Sequence, residues 1–462
     1  MNKIRLYLGI AALGTVMFTT SCASLRAYRD NAKGLRSAYE RPTDIQTDNL
    51  YGTTVNATDD GSLATLSWRE LYTDPCLQSL IETALTKNTD IKVQEWAIEQ
   101  AKQSREMSKK AFLPSLDFNP SVGYSYTFNK DIKGNFAYNI PLALNWEIDA
   151  FGTLRNEKRM AESNLLMQED VQQAIKSRLV ANIASLYYQL QALDQTKLLS
   201  EEASAVWADM INASEIMMKN GVADAISVSQ FKAQQYEIEA TMKDIEHNIN
   251  QIELNICALL GETPHKIQRG SLLATASPAM LRTGLSSELL ANRPDVRQAE
   301  RNLEYFYYNE KVARSNFYPK FNINAGAAFN GNFVLSALGS IAMPIFARGK
   351  IKAQHEISKA QFEQAKLTFQ QKLIDAGSEV MLSLSRCTSS SAKTESRMKQ
   401  IKEYETAVEY SRIQMSNGQA TYLDVLTAQT NLFQKKQNVI DERLEEMLGL
   451  VNLYLALGGG GK

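Results

Sequence analysis

The chain has 462 residues, room for two or three ordinary domains. Its 50 Lys and Arg nearly balance its 51 Asp and Glu, which removes any electrostatic reason to expect nucleic acid as a partner. Only ten Pro are present, while Ala, Glu, Lys, Leu and Gln recur over long spans, a composition that predicts long helices.

At the N-terminus, Lys3 and Arg5 precede an apolar run from Leu6 to Phe18. That run is too short to span a bilayer and has the size of a signal-peptide core. Thr19, Thr20 and Ser21 then lead to Cys22, and a small residue before a Cys is the pattern of a bacterial lipoprotein. Residues 1–21 are therefore read as a signal peptide, Cys22 as the lipid attachment point, and residues 22–65 as an extended, lipidated segment. The alternative is an ordinary secretory signal with a chance Cys, since Thr19 stands where lipoprotein signals usually carry Leu. Ala23 follows the Cys rather than Asp, which resembles lipoproteins passed on to the outer membrane. Buried acyl carbons contribute roughly 0.8 kcal/mol per methylene, so several chains anchor firmly. The covalent lipid on Cys22 is the one non-protein group expected. Cys76, Cys257 and Cys387 show no metal-ligand spacing and no positive sign of a disulfide, and no metal site is expected.

The next elements form a repeating unit. A helix is predicted from Pro75 to about Lys110, with Leu80, Ala84, Ile91 and Ile98 as its apolar stripe, stopped by Pro114. A strand follows in which Leu116, Phe118, Pro120, Val122, Tyr124, Tyr126 and Phe128 share one parity and Asp117, Asn119, Ser121, Gly123, Ser125 and Thr127 the other. After a turn around Lys130–Asn135, which contains Gly134, a second strand carries Phe136, Tyr138, Ile140, Leu142, Leu144, Trp146 and Ile148 on one parity. These make a hairpin over 115–149. A helix without Pro or Gly then runs to about Lys219. In it Ile175, Leu179, Ile183, Leu186, Leu190 and Leu193 step as a coiled-coil seam. At about 1.5 Å per residue it reaches about 100 Å. The Asn220-Gly221 tip, over 220–223, ends it, and Asp224 caps the returning helix to Gly261.

The second half repeats the first. "FLPSL" at Phe112 matches "FYPKF" at Phe317, and Asp90 matches Asp295, both 205 positions later. "MKNGVAD" at Met218 matches "MSNGQAT" at Met415, and "NICALLG" matches "NLYLALG", both 197 positions later. Two copies are thus expected, over 66–270 and 271–458, with a tail at 459–462. The second holds a weaker hairpin over 318–346, a long helix from about Lys350 to Ser416, and an Asn417-Gly418 tip over 417–420. Thr421 stands where Asp224 stood.

A hairpin with a continuous row of Phe, Tyr, Trp, Leu and Ile lies either on a helix layer or in lipid. Strands of about fifteen residues, a polar second face of small residues, and an export signal favour lipid. Lipid then demands closure, because an open sheet leaves backbone groups unpaired at membrane depth. Four strands per chain make twelve in a homotrimer, enough for a pore, whereas eight are usually filled by their own side chains. The fold class is mainly α with transmembrane β: a long coiled-coil tunnel joined to a β-barrel. Pro120 and Pro141 each remove a ladder hydrogen bond and are assigned to bulge or rim positions.

Several motifs in fixed order resemble a known family. They are the signal and Cys, "LSWRELYTDPCLQSLIETAL" at Leu66, "LLGETP" at Leu259, "NRPDV" at Asn292, the two F-x-P strand openings, and "NGQATYLDVLTAQ" at Asn417. Together they look like the TolC-like outer-membrane efflux factors, in the lipoprotein branch that serves resistance-nodulation-division pumps. The resemblance covers almost the whole mature chain. It implies a homotrimeric outer-membrane duct that meets a periplasmic adaptor and an inner-membrane pump and does no chemistry itself. It also implies adaptor docking at Asn220, Gly221, Asn417 and Gly418, and carboxylates near the periplasmic aperture, for which Asp424 is the candidate. Relatives often place the acid just before the "AQ"; here Thr427 stands there. The plain alternative for Asp424 is an acid favoured in the first turn of a helix.

No catalytic elbow, zinc His pair or phosphate loop is present, and His247, His265 and His355 fall in unrelated segments. Met210, Met217 and Met218 suit a helix interface as well as soft-metal handling. Two other functions share parts of this pattern: a duct for type I protein secretion, and a periplasmic coiled-coil lipoprotein without a pore.

Overall fold

The computed structural model describes residues 34–45, 50, 67–128, 132–221, 224–272, 293–330, 332–344 and 347–459. The signal peptide and Cys22 lie outside the described residues. The chain divides into two compact units, each drawing on both sequence repeats. The first holds residues 1–46, 97–168 and 298–370; the second holds 47–96, 169–297 and 371–462.

In chain order the helices and strands are α1 (Trp68–Leu71), α2 (Pro75–Lys87), α3 (Thr89–Lys110), β1 (Ser115–Phe118), β2 (Ser121–Phe128), β3 (Ile132–Ile148), α4 (Thr153–Lys219), α5 (Ala225–Leu260), α6 (Pro294–Ser315), β4 (Lys320–Phe329), β5 (Phe333–Ala342), α7 (Lys350–Ser416) and α8 (Tyr422–Ala456). The two 67-residue helices α4 and α7 match the uninterrupted stretches in the sequence. At the expected seam of α4, Leu179, Ile183 and Leu190 are buried, while Ile175, Leu186 and Leu193 are half-buried.

The helix expected over 75–110 is two helices. Asn88 divides them with an extended ψ of 132°. Its carboxamide oxygen accepts from Asp90 N (2.9 Å) and Ile91 N (3.2 Å), capping α3, while its Nδ2 donates to Leu259 O (2.9 Å). A side chain that caps one helix and ties down another offsets the backbone bonds lost at the break. The buried stripe of α2 is Leu77, Ile81 and Ala84, with Leu80 half-buried.

Among the described residues all strands join in one antiparallel sheet, ordered β1-β3-β4-β5, with β2 also on β3. The strand expected from Leu116 to Phe128 is interrupted at Asn119–Pro120. Its two pieces pair with β3 in one unbroken register: Phe118 faces Leu142 and Ser121 faces Asn139. No residue is inserted, so neither proline marks a bulge. Pro120 and Pro141 fall together at a ladder gap, where their missing N–H groups are lost side by side. Pro141 remains inside β3, facing Ala328 across the β3–β4 seam.

That seam joins the two hairpins, and its register keeps the faces aligned. Trp146 faces Ile323, Ile148 faces Phe321, and Ile323 faces Gly339. Leu142 faces Ala327, which faces Leu335. A one-residue slip would exchange the faces. On the opposite parity, Asn145 donates to Asp117 (2.9 Å) and pairs with Asn324.

The N-terminal segment packs into the first unit as a strap. Leu35 is fully buried, and its carbonyl accepts from Asn156 Nδ2 (2.9 Å). Buried Lys311 donates to Gly34 O (2.5 Å). Arg36 donates to Ala150 O (2.6 Å), just beyond β3. Arg41 forks onto both oxygens of Glu300 at 2.7 Å, and Asp44 pairs with Lys366.

Candidate functional site: an unpartnered sheet and two capped helix tips

The sheet within one chain has two open edges, one along β1 and β2 and the other along β5. Its apolar side chains are uncovered. Leu116, Phe118, Val122 and Tyr124 are 60–77% exposed, and Phe333, Leu335 and Ile341 on β5 are 69–75% exposed. Among the described residues no helix lies over them, so these side chains do not rest on a described helix layer. Among the described residues no helix is long and apolar enough to cross a membrane. Trp146 Nε1 donates to Phe112 O (3.0 Å), fixing its indole where α3 gives way to the sheet.

Each tip ends on a left-handed glycine, Gly221 (φ 73°) and Gly418 (φ 71°), the conformation that terminates a helix at least cost. Asn220 N donates to Ile216 O and Gly221 N to Met218 O. In the second tip, Gly418 N donates to Met415 O, and Gln419 N and Ala420 N both donate to Gln414 O. The restarting helices are capped differently. Asp224 accepts from Ser227 N (3.0 Å) and Ser227 Oγ (2.9 Å). Thr421 and Asp424 form a capping box: Asp424 Oδ2 accepts from Thr421 Oγ1 (2.6 Å) and Thr421 N (2.8 Å). The Ser227 N–H holds the Asp224 carboxyl below the usual carboxylate range, and the Thr421 hydroxyl does the same for Asp424. Asp424 is exposed, as a residue near an aperture would be, but its hydrogen bonds serve the helix start.

Behind the tips lies an aromatic cluster that no local sequence pattern announces. Trp207 and Phe231 are almost wholly buried, with ring centroids 5.8 Å apart. Phe231 meets Tyr422 edge-on at 6.3 Å, and Trp207 meets Phe433 at 6.5 Å. The cluster pins α4 and α5 against α8, and Met210 packs on it as an interface filler. Lone aromatics in long helices were the available signal; which partner each would meet is set by tertiary packing. Cys76, Cys257 and Cys387 are free thiols, and Cys257 Sγ lies 3.5 Å from His265 Nδ1. Among the described residues no group of three or more His, Cys, Asp or Glu could hold a metal ion.

The model of the outer membrane efflux protein family matches residues 80–262 and 285–459, one match in each half. The probable outer membrane lipoprotein SilC of Salmonella typhimurium is 24% identical over 407 residues, covering 85% of this chain and 88% of that protein. The toluene efflux pump outer membrane protein TtgI of Pseudomonas putida is 26% identical over 413 residues, covering 85% and 87%. A crystal structure of CusC, described as a transmembrane channel, superposes with a TM-score of 0.83 at 22% identity, covering 92% of this chain and 99% of that one. Members of this family are channels rather than enzymes. With its helical tunnel segments, uncovered sheet and matched length, the chain belongs to the outer membrane efflux protein family and is an efflux channel of the outer membrane.

Proposed function

We propose that three copies of the chain close a twelve-stranded barrel and act as the passive exit duct of a tripartite pump of the resistance-nodulation-division type. The observation that carries the reading is the sheet with two open edges and an uncovered apolar face. Backbone groups at membrane depth must be paired, so β5 of one copy pairs with β1 and β2 of the next. The helices continue the barrel as a tunnel, and the chain performs no chemical step. A periplasmic adaptor docks on the exposed tips at Asn220, Gly221, Asn417 and Gly418, and the inner-membrane pump supplies the energy. Acyl chains on Cys22 hold the strap side at the membrane; the lipoprotein relative supports this. Asp424 contributes negative charge near the periplasmic mouth, since a capping carboxylate still carries its full charge at neutral pH.

Cysteines introduced by Ser121→Cys on β2 and Ser336→Cys on β5, which lie on the same polar face of the sheet, test the assembly. On oxidation they should link copies into species no larger than a trimer, and planar-bilayer recording should show discrete conductance steps. A non-conducting protein that stays monomeric in detergent sinks the reading. Asp424→Asn should lower the preference for cations in reversal-potential measurements; an unchanged potential leaves Asp424 a helix cap alone.

A further inference from the structure

Within the second unit, four helices converge on a cavity of about 400 Å3. Its walls come from the start of α6 and from one stretch each of α4, α7 and α8. Four cationic side chains line it, Arg178, Arg293, Lys372 and Arg386, against two carboxylates, Asp295 and Glu379. The carboxylates are already engaged. Arg293 binds Asp295 (2.9 Å) and Glu379 (2.6 Å), and Lys372 reaches Asp295 (3.0 Å). Among the described residues, Arg178 and Arg386 have neither an ion pair nor a hydrogen bond, so two positive charges on the cavity wall are uncompensated.

Ser177 is the independent sign that a ligand belongs here. It is 3% exposed, lines the same cavity, and its hydroxyl has no partner. Helical serines elsewhere in the chain bond back to the carbonyl one turn earlier, as Ser108 does to Ser104 O and Ser358 to Gln354 O. Leaving a buried hydroxyl unpaired is costly unless a ligand or water takes the bond.

We propose that this cavity binds a small oxyanion of the phosphate type, with Arg178 and Arg386 matching its charge and the Ser177 hydroxyl donating to one oxygen. A dianion suits two spare guanidiniums, and tetrahedral oxygens accept from several directions at once. The positive balance disfavours a metal cation, and the charged lining disfavours an apolar guest. The volume admits inorganic phosphate or the head of a phosphomonoester, which share this chemistry. Bound there, the anion joins four helices and stabilises the folded unit. Nothing in this rests on the pore or on the number of copies.

Thermal unfolding of the purified full-length protein in detergent tests it, with inorganic phosphate or glycerol phosphate added against sodium chloride of equal ionic strength. Phosphate should raise Tm by a few degrees at saturation. Arg178→Gln with Arg386→Gln should abolish the rise, and Ser177→Ala, which is benign to a helix, should weaken phosphate binding several-fold by equilibrium dialysis. A larger effect of glycerol phosphate would assign the site to esters, and an equal effect to the free ion. No rise beyond the chloride control, or the same rise and affinity in Ser177→Ala as in the unchanged protein, overturns the proposal.

Discussion

At the scale of single residues, the helix starts and the buried charges give the clearest expectations. Asp224→Ala and Thr421→Ala each remove an N-cap and should loosen the helix start locally. Faster amide hydrogen exchange in the first turns of α5 and α8, with little change elsewhere, is the readout. These caps were legible in sequence, because a cap is a local contract between neighbours. The role of Asp295 was not, because its partner Lys372 lies on another helix. Burial alone would raise the Asp295 carboxyl, but its bonds to Arg293 and then Lys372 outweigh that and hold it at about 2. A carboxyl depressed below its ordinary 3.8 adds stability above that pH and loses it as pH falls toward about 2. Thermal unfolding between pH 5 and pH 2 should therefore show an acid-labile contribution. Asp295→Asn should flatten this limb while lowering Tm at neutral pH.

At the scale of elements, the periodic patterns carried most of the information. The length of α4 and α7, the Asn-Gly tips and the alternation of both hairpins were all visible, since each depends on residues a few positions apart. What escaped was set by distant partners. Asn88 breaks a helix because Leu259 O is there to receive its amide. The prolines share a ladder gap because β3 brings Pro141 alongside the Asn119–Pro120 break. The β3–β4 seam joins residues from opposite halves of the chain, beyond the reach of any local pattern. The aromatic cluster behind the tips belongs with these. Trp207→Ala should cost about 3–5 kcal/mol. Exchange protection should fall together in facing stretches of α4, α5 and α8, whereas a defect confined to α4 would deny the cluster its role as a joint.

At the scale of the whole molecule, the sheet and the helices meet different solvents and should be separable. Deleting residues 123–138 removes most of β2 and the facing part of β3. The shortened chain should fail to integrate into outer-membrane vesicles while circular dichroism retains most of its helix signal. Wholesale loss of helicity would mean that the helices need the sheet in order to fold.

The two bare sheet edges also bear on biogenesis. A strand with free N–H and C=O groups and an oily flank is a template for stray pairing, and every newly exported copy carries two of them. Long helices, built from local contacts, form early; pairing between remote halves of a chain is slow. The order that avoids clumping is therefore helices first and sheet last and, under the proposed assembly, the final strands settle only once membrane lipid and sister copies are at hand. A chain like this is safest in transit unfinished.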